Sequence, residues 1–434
     1  MKFTAVGDVL CQKRMPDTYE GFETIRDYIM KGDARFFNLE TTVNYEGECY
    51  GCQHSGGTYI RCNPEVAEDM LRYGFNMVNF NNNHIMDFAH EGMLKTMEYV
   101  NAMDIVNAGV GMNLHQASAP AYLETPNGRV AIISVSTSFA APCMAGVQSR
   151  RIPGRPGING IRVSRKVMVP EEAFGWIQKI GVESHINDAK NITRAEGYHP
   201  ALPEGVAEIG EMQFVKGETY DVVLTPNAKD MARVKESIEE ALLQADYVMI
   251  SIHAHQIEGK EKETVPRMLE SVCRSFIDYG ADAVVGHGPH LLRAIEVYKD
   301  KPIFYSLGDF LIQLYSVPVA PEDFYDKYGL TSDMSPIKLL EKRSAGFTRG
   351  LMEEDRMREA VVPYWETDEN KKLTKLELLP VKATKGEKGH HLEGLPQPVE
   401  EYAFMEKLAS LSAPYGVEIK MENGLGVCTW KKGE

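Results

Sequence analysis

Residues 77–87 read Met77-Val78-Asn79-Phe80-Asn81-Asn82-Asn83-His84-Ile85-Met86-Asp87. The first four have the apolar character of a short buried strand. Three asparagines and a histidine follow, and then Met93, Leu94, Met97 and Val100 recur at helical spacing. Strand, polar turn and amphipathic helix make up the repeating unit of an α/β fold. Polar, metal-capable side chains at the C-terminal end of a buried strand lie where open α/β sheets build their sites. Asparagine clusters also make turns and cap helices, so the stretch has two readings until the rest of the chain is set beside it.

The same unit appears on both sides of it. Phe3-Thr4-Ala5-Val6 leads into Gly7-Asp8, and Arg35-Phe36-Phe37-Asn38-Leu39-Glu40 is a second short strand ending in a carboxylate. Asp8 fits either a metal ligand or the cap of a following helix. Residues 64–73 have a helical pattern (Val66, Met70, Leu71) closed by Gly74. Ile105–Gly109 and Arg129–Val135 give two further strands. Beyond residue 225 the rhythm continues: a helix marked by Met231, Val234, Ile238 and Leu242 precedes Tyr247–Ile252, which runs into His253-Ala254-His255. A helix with Leu269, Val272, Cys273 and Phe276 on one face precedes Asp282–Val285, which runs into Gly286-His287-Gly288-Pro289-His290. Strands near 295 and 303 lead to Leu307-Gly308-Asp309-Phe310. Ala360–Trp365 and Leu373–Leu379 read as a hairpin that extends a sheet.

Between about 140 and 225 the rhythm fails. This stretch is expected to be a long, loop-rich insertion in a domain spanning 1–320, with 321–434 as a C-terminal extension. It concentrates Arg150, Arg151, Arg155, Arg162, Arg165 and Lys166 around Ile152-Pro153-Gly154-Arg155-Pro156-Gly157. Such a run is either a solvated face or a surface for carboxylates or phosphates.

The 434 residues carry a net charge of −15, which argues against a nucleic-acid groove or an anionic membrane as the main partner. No stretch has the roughly 18 consecutive apolar residues of a membrane span. Met1–Val6 enters a strand without the apolar core of a signal peptide, so a cytoplasmic location is expected. The seven cysteines are an odd number in a large chain, which argues against a disulfide framework. Cys49-Tyr50-Gly51-Cys52, with His54 and Cys62 nearby, fits either a structural zinc site or reduced thiols in a loop.

Each polar strand end has an ordinary explanation when taken singly. Five of them nevertheless deliver Asp8, Glu40, Asn83-His84, His253 with His255, and His287. Strand C-termini of a doubly wound sheet converge on one edge. Carboxylate, amide and imidazole together suit divalent manganese, iron or zinc, and a carboxylate can bridge two ions. Such a pair polarises an oxygen and activates water. A metal site is the expectation.

Taken in order, Gly7-Asp8, Asn38-Leu39-Glu40, Asn82-Asn83-His84 with Asp87, His253, Gly286-His287-x-Pro289-His290 and Tyr305–Phe310 resemble the CapA family of capsule or poly-γ-glutamate synthesis proteins. That family is built on the calcineurin-like metallophosphoesterase fold. Arg155-Pro156-Gly157-Ile158-Asn159 also resembles a segment of one of its branches. The resemblance implies a four-layer α/β/β/α sandwich with a two-metal centre at the sheet edge. It implies Asp8, Glu40, Asn83, His253 and His287 as ligands, with Glu40 bridging. It makes His84 a general acid supported by Asp87, a residue that also fits a helix N-cap. His255 and His290 would complete the ligand set or touch substrate. Leu10 stands where a phosphoesterase would carry a histidine, which would leave one metal position poorer or held by a harder ion such as calcium or magnesium.

The resemblance further implies a γ-glutamyl or related anionic peptide substrate, gripped by Arg150, Arg151 and Arg155. Amide hydrolysis or transfer leads the candidate reactions. Phosphoester hydrolysis, metal-assisted epimerisation and non-catalytic polymer binding are the alternatives, and fold alone does not choose among them.

Overall fold

Ten strands form one sheet and six another in the computed structural model, which describes residues 1–400 and 402–431. The first sheet is centred on Lys2–Leu10. Ala34–Leu39, Met77–Asn79 and Val106–Ala108 follow in parallel on one side, and the antiparallel Glu359–Thr367 and Leu373–Ala383 lie on the other. Asp309–Ile312 also runs parallel to the first strand. The second sheet has Gly128–Ser136, Tyr247–His253, Ala283–His287 and Lys301–Phe304 in parallel at its centre.

These strands read as near-continuous apolar runs because both of their faces are buried. Phe3, Ala5, Phe36 and Met77 of the first sheet share one core with Val130, Ile132, Tyr247, Met249 and Val285 of the second. Aromatic rings cross the gap between them. Phe3 stacks on Tyr247 with centroids 4.2 Å apart, and Trp365 Nε1 donates to the Tyr247 hydroxyl at 3.2 Å. Each such fully buried aromatic stabilises the fold by about 1.5–3 kcal/mol. On the outer face of the first sheet, Phe37, Leu39 and Val78 pack with Ile25 of the helix Phe22–Ile29 and with Met93 and Val100 of the helix Ala89–Ala102. The helix Arg267–Asp278 packs on the second sheet at Ala283–His287. The layers are therefore helix, sheet, sheet and helix, the four-layer α/β arrangement expected.

The parallel register places the site. Asp8, Asn38 and Asn79 lie side by side at the ends of three neighbouring strands, and His253 lies beside His287 and Ser136.

Residues 162–231 form a separate compact unit, and this corrects the expectation of a loop-rich insertion. Val163–Val169, Val206–Ile209, Met212–Lys216 and Asp221–Pro226 make a four-stranded sheet, with helices Glu171–Glu183 and Asp188–Ala195. The unit is small, and only Val169, Phe174, Ala207 and Phe214 form its buried core. Its strands are mostly half-exposed, so their apolar pattern is faint. Part of the basic run is committed here: Arg162 is paired with Asp230 at 2.8 Å.

The 360–380 hairpin occupies an interior position of the first sheet, and a further hairpin, Val417–Glu422 with Leu425–Trp430, continues that sheet beyond it. All seven cysteines are free. Among the described residues, no helix is long and apolar enough to cross a membrane.

Candidate metal centre

Two Gly-Asp turns set the floor of the site. Asp8 N–H donates to the Gly308 carbonyl at 3.1 Å, and a Cβ on Gly7 would lie 2.0 Å from that same oxygen. Only glycine permits this approach, and it sets Asp8 beside Asp309 in register. The Asp8 carboxylate accepts from Asn38 Nδ2 at 2.6 Å and from Gly288 N–H at 2.8 Å. Gly288 itself has φ +114°, and a Cβ there would stand 3.2 Å from the His253 ring.

The asparagine-rich stretch divides its labour. Asn81 Nδ2 reaches the carbonyls of Ser134 and Asn159 at 3.1 and 3.2 Å, joining the strand end to the opposite sheet. Asn82 Nδ2 donates to the Leu39 carbonyl at 2.9 Å, and its Oδ1 accepts from His84 N–H at 3.1 Å. Asn83 alone points its oxygen at the histidines, 2.5 Å from His253 Nε2 and 3.1 Å from His255 Nε2. Asp87 does not cap the helix, whose N-cap is Phe88. Its carboxylate accepts instead from Gly56 and Ile60 N–H, both at 2.9 Å, and lies 2.7 Å from His84 Nδ1. A three-residue reversal between His84 and Asp87 leaves that carboxylate facing inward, where it fixes the imidazole and the 56–60 loop together.

Glu40 occupies the centre. Its Oε1 is 3.5 Å from His253 Nε2, 3.7 Å from His84 Nε2 and 3.7 Å from His255 Nε2; its Oε2 is 3.9 Å from His290 Nδ1. Glu40 is fully buried, and neither oxygen has a hydrogen-bond partner. An orphaned buried carboxylate is costly unless something cationic satisfies it. Ligands that each sit about 2.0–2.2 Å from one ion lie roughly 3–3.5 Å from one another, close to the spacings found here. His253 Nδ1 is 2.9 Å from His287 Nδ1, and His253 Nε2 is 2.9 Å from His255 Nε2. Three ligand groups result: Asp8 with His253 and His287, Glu40 with His253 and His255, and Asp8 with His290 and Asp309. The donor set fits divalent metal.

The electrostatics agree. Burial, reinforced by the neighbouring Asp309, pushes Asp8 up to about 6. Burial, with Asp8 and Asp309 adding to it, holds Glu40 well above the carboxylate range. Burial drives His253 and His255 well below their ordinary value and His287 down to about 3. Burial opposes protonation of His290 too, but the Asp309 carboxylate 2.9 Å away outweighs it and lifts His290. Crowded carboxyls that resist ionisation and imidazoles that resist protonation both gain from a cation.

The structure therefore brings together Asp8, Glu40, Asn83, His84, Asp87, His253, His255, His287 and His290. It sets the arginines apart. Arg150 and Arg151 are exposed on a turn, and Arg155 is exposed with its guanidinium on the Met144 carbonyl at 3.1 Å. No contact among the described residues joins the three to the ligands. Asp309 carries no role in the sequence reading, yet it stands beside Asp8, with Oδ2 buried and unpartnered. It supplies a carboxylate where Leu10, buried among Ile60, Ile312 and Leu314, supplies nothing. The signal was a second Gly-Asp doublet, Gly308-Asp309 repeating Gly7-Asp8. Lys262 was also missed; it is half-buried, and burial holds its ammonium below the ordinary value. Away from the centre, Cys49 packs with Tyr59 and Phe88, and Cys62 lies against Cys11. No cysteine belongs to a ligand group among the described residues.

Comparison with known proteins bears on this geometry. The family model described as bacterial capsule synthesis protein PGA_cap matches residues 2–314. An uncharacterized protein of Sinorhizobium fredii, y4sH, is 32% identical over 98% of this chain and 92% of its own length. The capsule biosynthesis protein CapA of Bacillus anthracis is 22% identical, over 72% of this chain and 59% of that one. Among solved structures, a 5'-nucleotidase precursor from Thermus thermophilus aligns over 95% of this chain and 59% of its own, with a TM-score of 0.36 and 8% identity.

Proposed function

The chain belongs to the bacterial capsule synthesis protein family PGA_cap, and from that premise we propose that it is a metal-dependent enzyme of poly-γ-glutamate or capsule-type polymer metabolism, acting at a γ-glutamyl or related peptide bond. Two supports carry the reading. One is the kinship with proteins named for capsule and PGA biosynthesis. The other is the Glu40 carboxylate, buried and unpartnered amid four imidazoles.

Asp8, Glu40, Asn83, His253, His255, His287, His290 and Asp309 would hold two divalent ions, with manganese, iron or zinc suited to this mixture of donors. Bound there, the ions polarise a substrate oxygen and make water a nucleophile near neutral pH. The remaining chemistry belongs to the chain. His84 Nδ1 is held by Asp87 at 2.7 Å, so its Nε2 faces the pocket, 3.7 Å from Glu40. A proton at that Nε2 is placed for delivery to the leaving amine, with the Asp87 carboxylate fixing the ring through its other nitrogen. Asn38 and Gly288 fix the Asp8 carboxylate from two sides. Asn82 and the 56–60 loop keep His84 from turning away.

The test is metal analysis of the purified chain, then turnover of γ-glutamyl oligomers with each metal restored. Release of glutamate or short γ-glutamyl products supports the proposal. Cleavage of aryl phosphodiesters alone moves the reaction to phosphoesters, and deuterium uptake at a substrate Cα without cleavage moves it to epimerisation. Absence of bound metal refutes all three.

A further inference from the structure

We propose that a cavity beside the metal pocket is a subsite for carboxylates that the substrate carries away from the bond being broken, with Lys262 at the junction between the two. The proposal rests on the reading of the metal pocket as one that acts on an anionic peptide.

The cavity has a volume of about 440 Å³. Leu314, Leu340, Leu351 and Met357 give it apolar walls, and Arg343 and Arg349 open into it. Its wall residue Leu314 follows the strand Asp309–Ile312, whose first residue stands beside Asp8. Lys262 spans the interval. Its Nζ lies 3.9 Å from Met357 Sδ in the cavity wall, and its charge acts on His255, His290 and Asp309 in the metal pocket. Arg293 holds it there: this fully buried guanidinium donates to the carbonyls of Lys262 and Gln256, fixing the loop that also bears His255.

The charges of this neighbourhood are unevenly matched. The acidic group that lines the cavity, Glu354, is engaged by Arg356 at 2.8 Å. Glu353, nearby, is engaged by Lys388 and Tyr315. By contrast, Lys262, Arg343 and Arg349 make no ion pair among the described residues. Arg343 donates to the Thr58 hydroxyl and lies 5.8 Å over the Phe324 ring; Arg349 is exposed. In a chain of net charge −15, two cations without an ion pair in the cavity lining and a third against its Met357 wall mark a place for incoming anions. Keeping an ammonium half-buried without a partner is unfavourable by itself, and it becomes favourable when a carboxylate arrives.

The chemical class follows from the walls. A lone phosphate would use the cations and leave the apolar surface idle. A chain of acidic residues presents carboxylates separated by methylenes, which suits cations spaced along an apolar trough. The contact of Arg343 with Thr58 ties this trough to the 56–60 loop that Asp87, the partner of His84, also holds. The carboxylate grip that the sequence assigned to Arg150, Arg151 and Arg155 is thereby placed on Lys262, Arg343 and Arg349.

The experiment uses the full chain loaded with manganese, in a His84→Gln background that holds ligand without turnover. Binding of γ-glutamyl dimer and pentamer is measured by calorimetry, with a pentamer whose side carboxylates are amidated as control. The pentamer is expected to bind tighter than the dimer and than its amidated form. Removing a charge-assisted contact weakens binding by about tenfold or more. Arg343→Gln with Arg349→Gln therefore brings the pentamer-to-dimer ratio toward one, and Lys262→Met weakens both ligands. Arg349 has no side-chain partner among the described residues, so Arg349→Gln alone keeps the test decisive if the double variant misfolds. A parent that binds both lengths equally, or variants whose pentamer affinity stays within twofold of the parent, overturns the subsite. With His84 intact, cleavage whose length dependence ignores these substitutions refutes the subsite and leaves the reaction standing. Length-dependent binding without cleavage does the reverse.

Discussion

Glu40→Gln separates the two states of the pocket, because the carboxylate is a liability without metal and a ligand with it. In the metal-free chain both oxygens are buried with no hydrogen-bond partner among the described residues, and burial raises the group well above the carboxylate range. An amide of the same shape carries no such ionisation cost, so metal-free stability near neutral pH should be unchanged or raised. With metal the accounting differs. Loss of a residue that merely supports a ligand weakens metal binding about 10–100-fold, and the central ligand should reach at least the upper figure. At a metal concentration one hundred times the parent's Kd, binding stabilises the parent by about 2.7 kcal/mol. A hundredfold weaker variant is then at its own Kd and gains only about 0.4 kcal/mol. The metal-induced increment should therefore shrink by about 2.3 kcal/mol. Urea unfolding of both proteins, with and without manganese at that concentration, measures it. A variant that keeps the parent's full increment, or that is strongly destabilised without metal, refutes the placement of Glu40 at the centre.

Four further outcomes are expected. His84→Gln should keep its metal while turnover falls about 10²–10⁴-fold, read by metal analysis beside steady-state rates. Asp309→Asn should lower the metal content and release His290, seen as loss of metal by mass spectrometry and a lowered His290 pKa by NMR. Gly7→Ala forces a Cβ to 2.0 Å from the Gly308 carbonyl and should exceed the about 1–3 kcal/mol of ordinary overpacking; thermal unfolding or soluble yield reads it. The pH profile of the metal-free protein should peak near 6.5. His253, His255 and His287 are depressed, so the stability they contribute is present above 6.5 and lost as pH falls below it. Asp8 and Glu40 are raised, so theirs is present at low pH and lost as pH rises, from 3.8 through about 6 for Asp8 and from 4.5 upward for Glu40. Each group contributes a slope of about 1.4 kcal/mol per pH unit. Three histidines outweigh two acids below 6.5; above it the raised Glu40 and the raised His290 both lose stability as pH rises. Glu40→Gln should make the alkaline fall shallower, leaving the part that His290 contributes.

Much of this was legible in the sequence because buried parallel strands write themselves as apolar runs, and their polar ends stand out. Asp8, Glu40, Asn83, His253 and His287 each follow such a run, and parallel pairing forces those ends together. The small unit at 162–231 was illegible for the opposite reason: half-exposed strands on a shallow core leave little periodicity. The arginine run could not be placed from the sequence, since charge in sequence does not tell where a turn points it. Two signals were present and unused. Val417, Ile419 and Met421 alternate with charged residues before Asn423-Gly424, a strong hairpin mark, with φ +50° and +82° at the turn. The repeated Gly-Asp doublet marked Asp309. The Lys262 cavity could not have been read, because its members come from segments whose meeting only the fold decides.

Every role proposed for the pocket requires divalent metal in it. Crystals of the full chain grown with manganese, measured on both sides of the manganese absorption edge, locate the metal without reference to activity. Anomalous peaks are expected within the group Asp8, Glu40, Asn83, His253, His255, His287, His290 and Asp309, and should weaken in Glu40→Gln. An empty pocket at saturating manganese, or peaks confined to sites elsewhere such as Cys49 and Cys52, would contradict that placement.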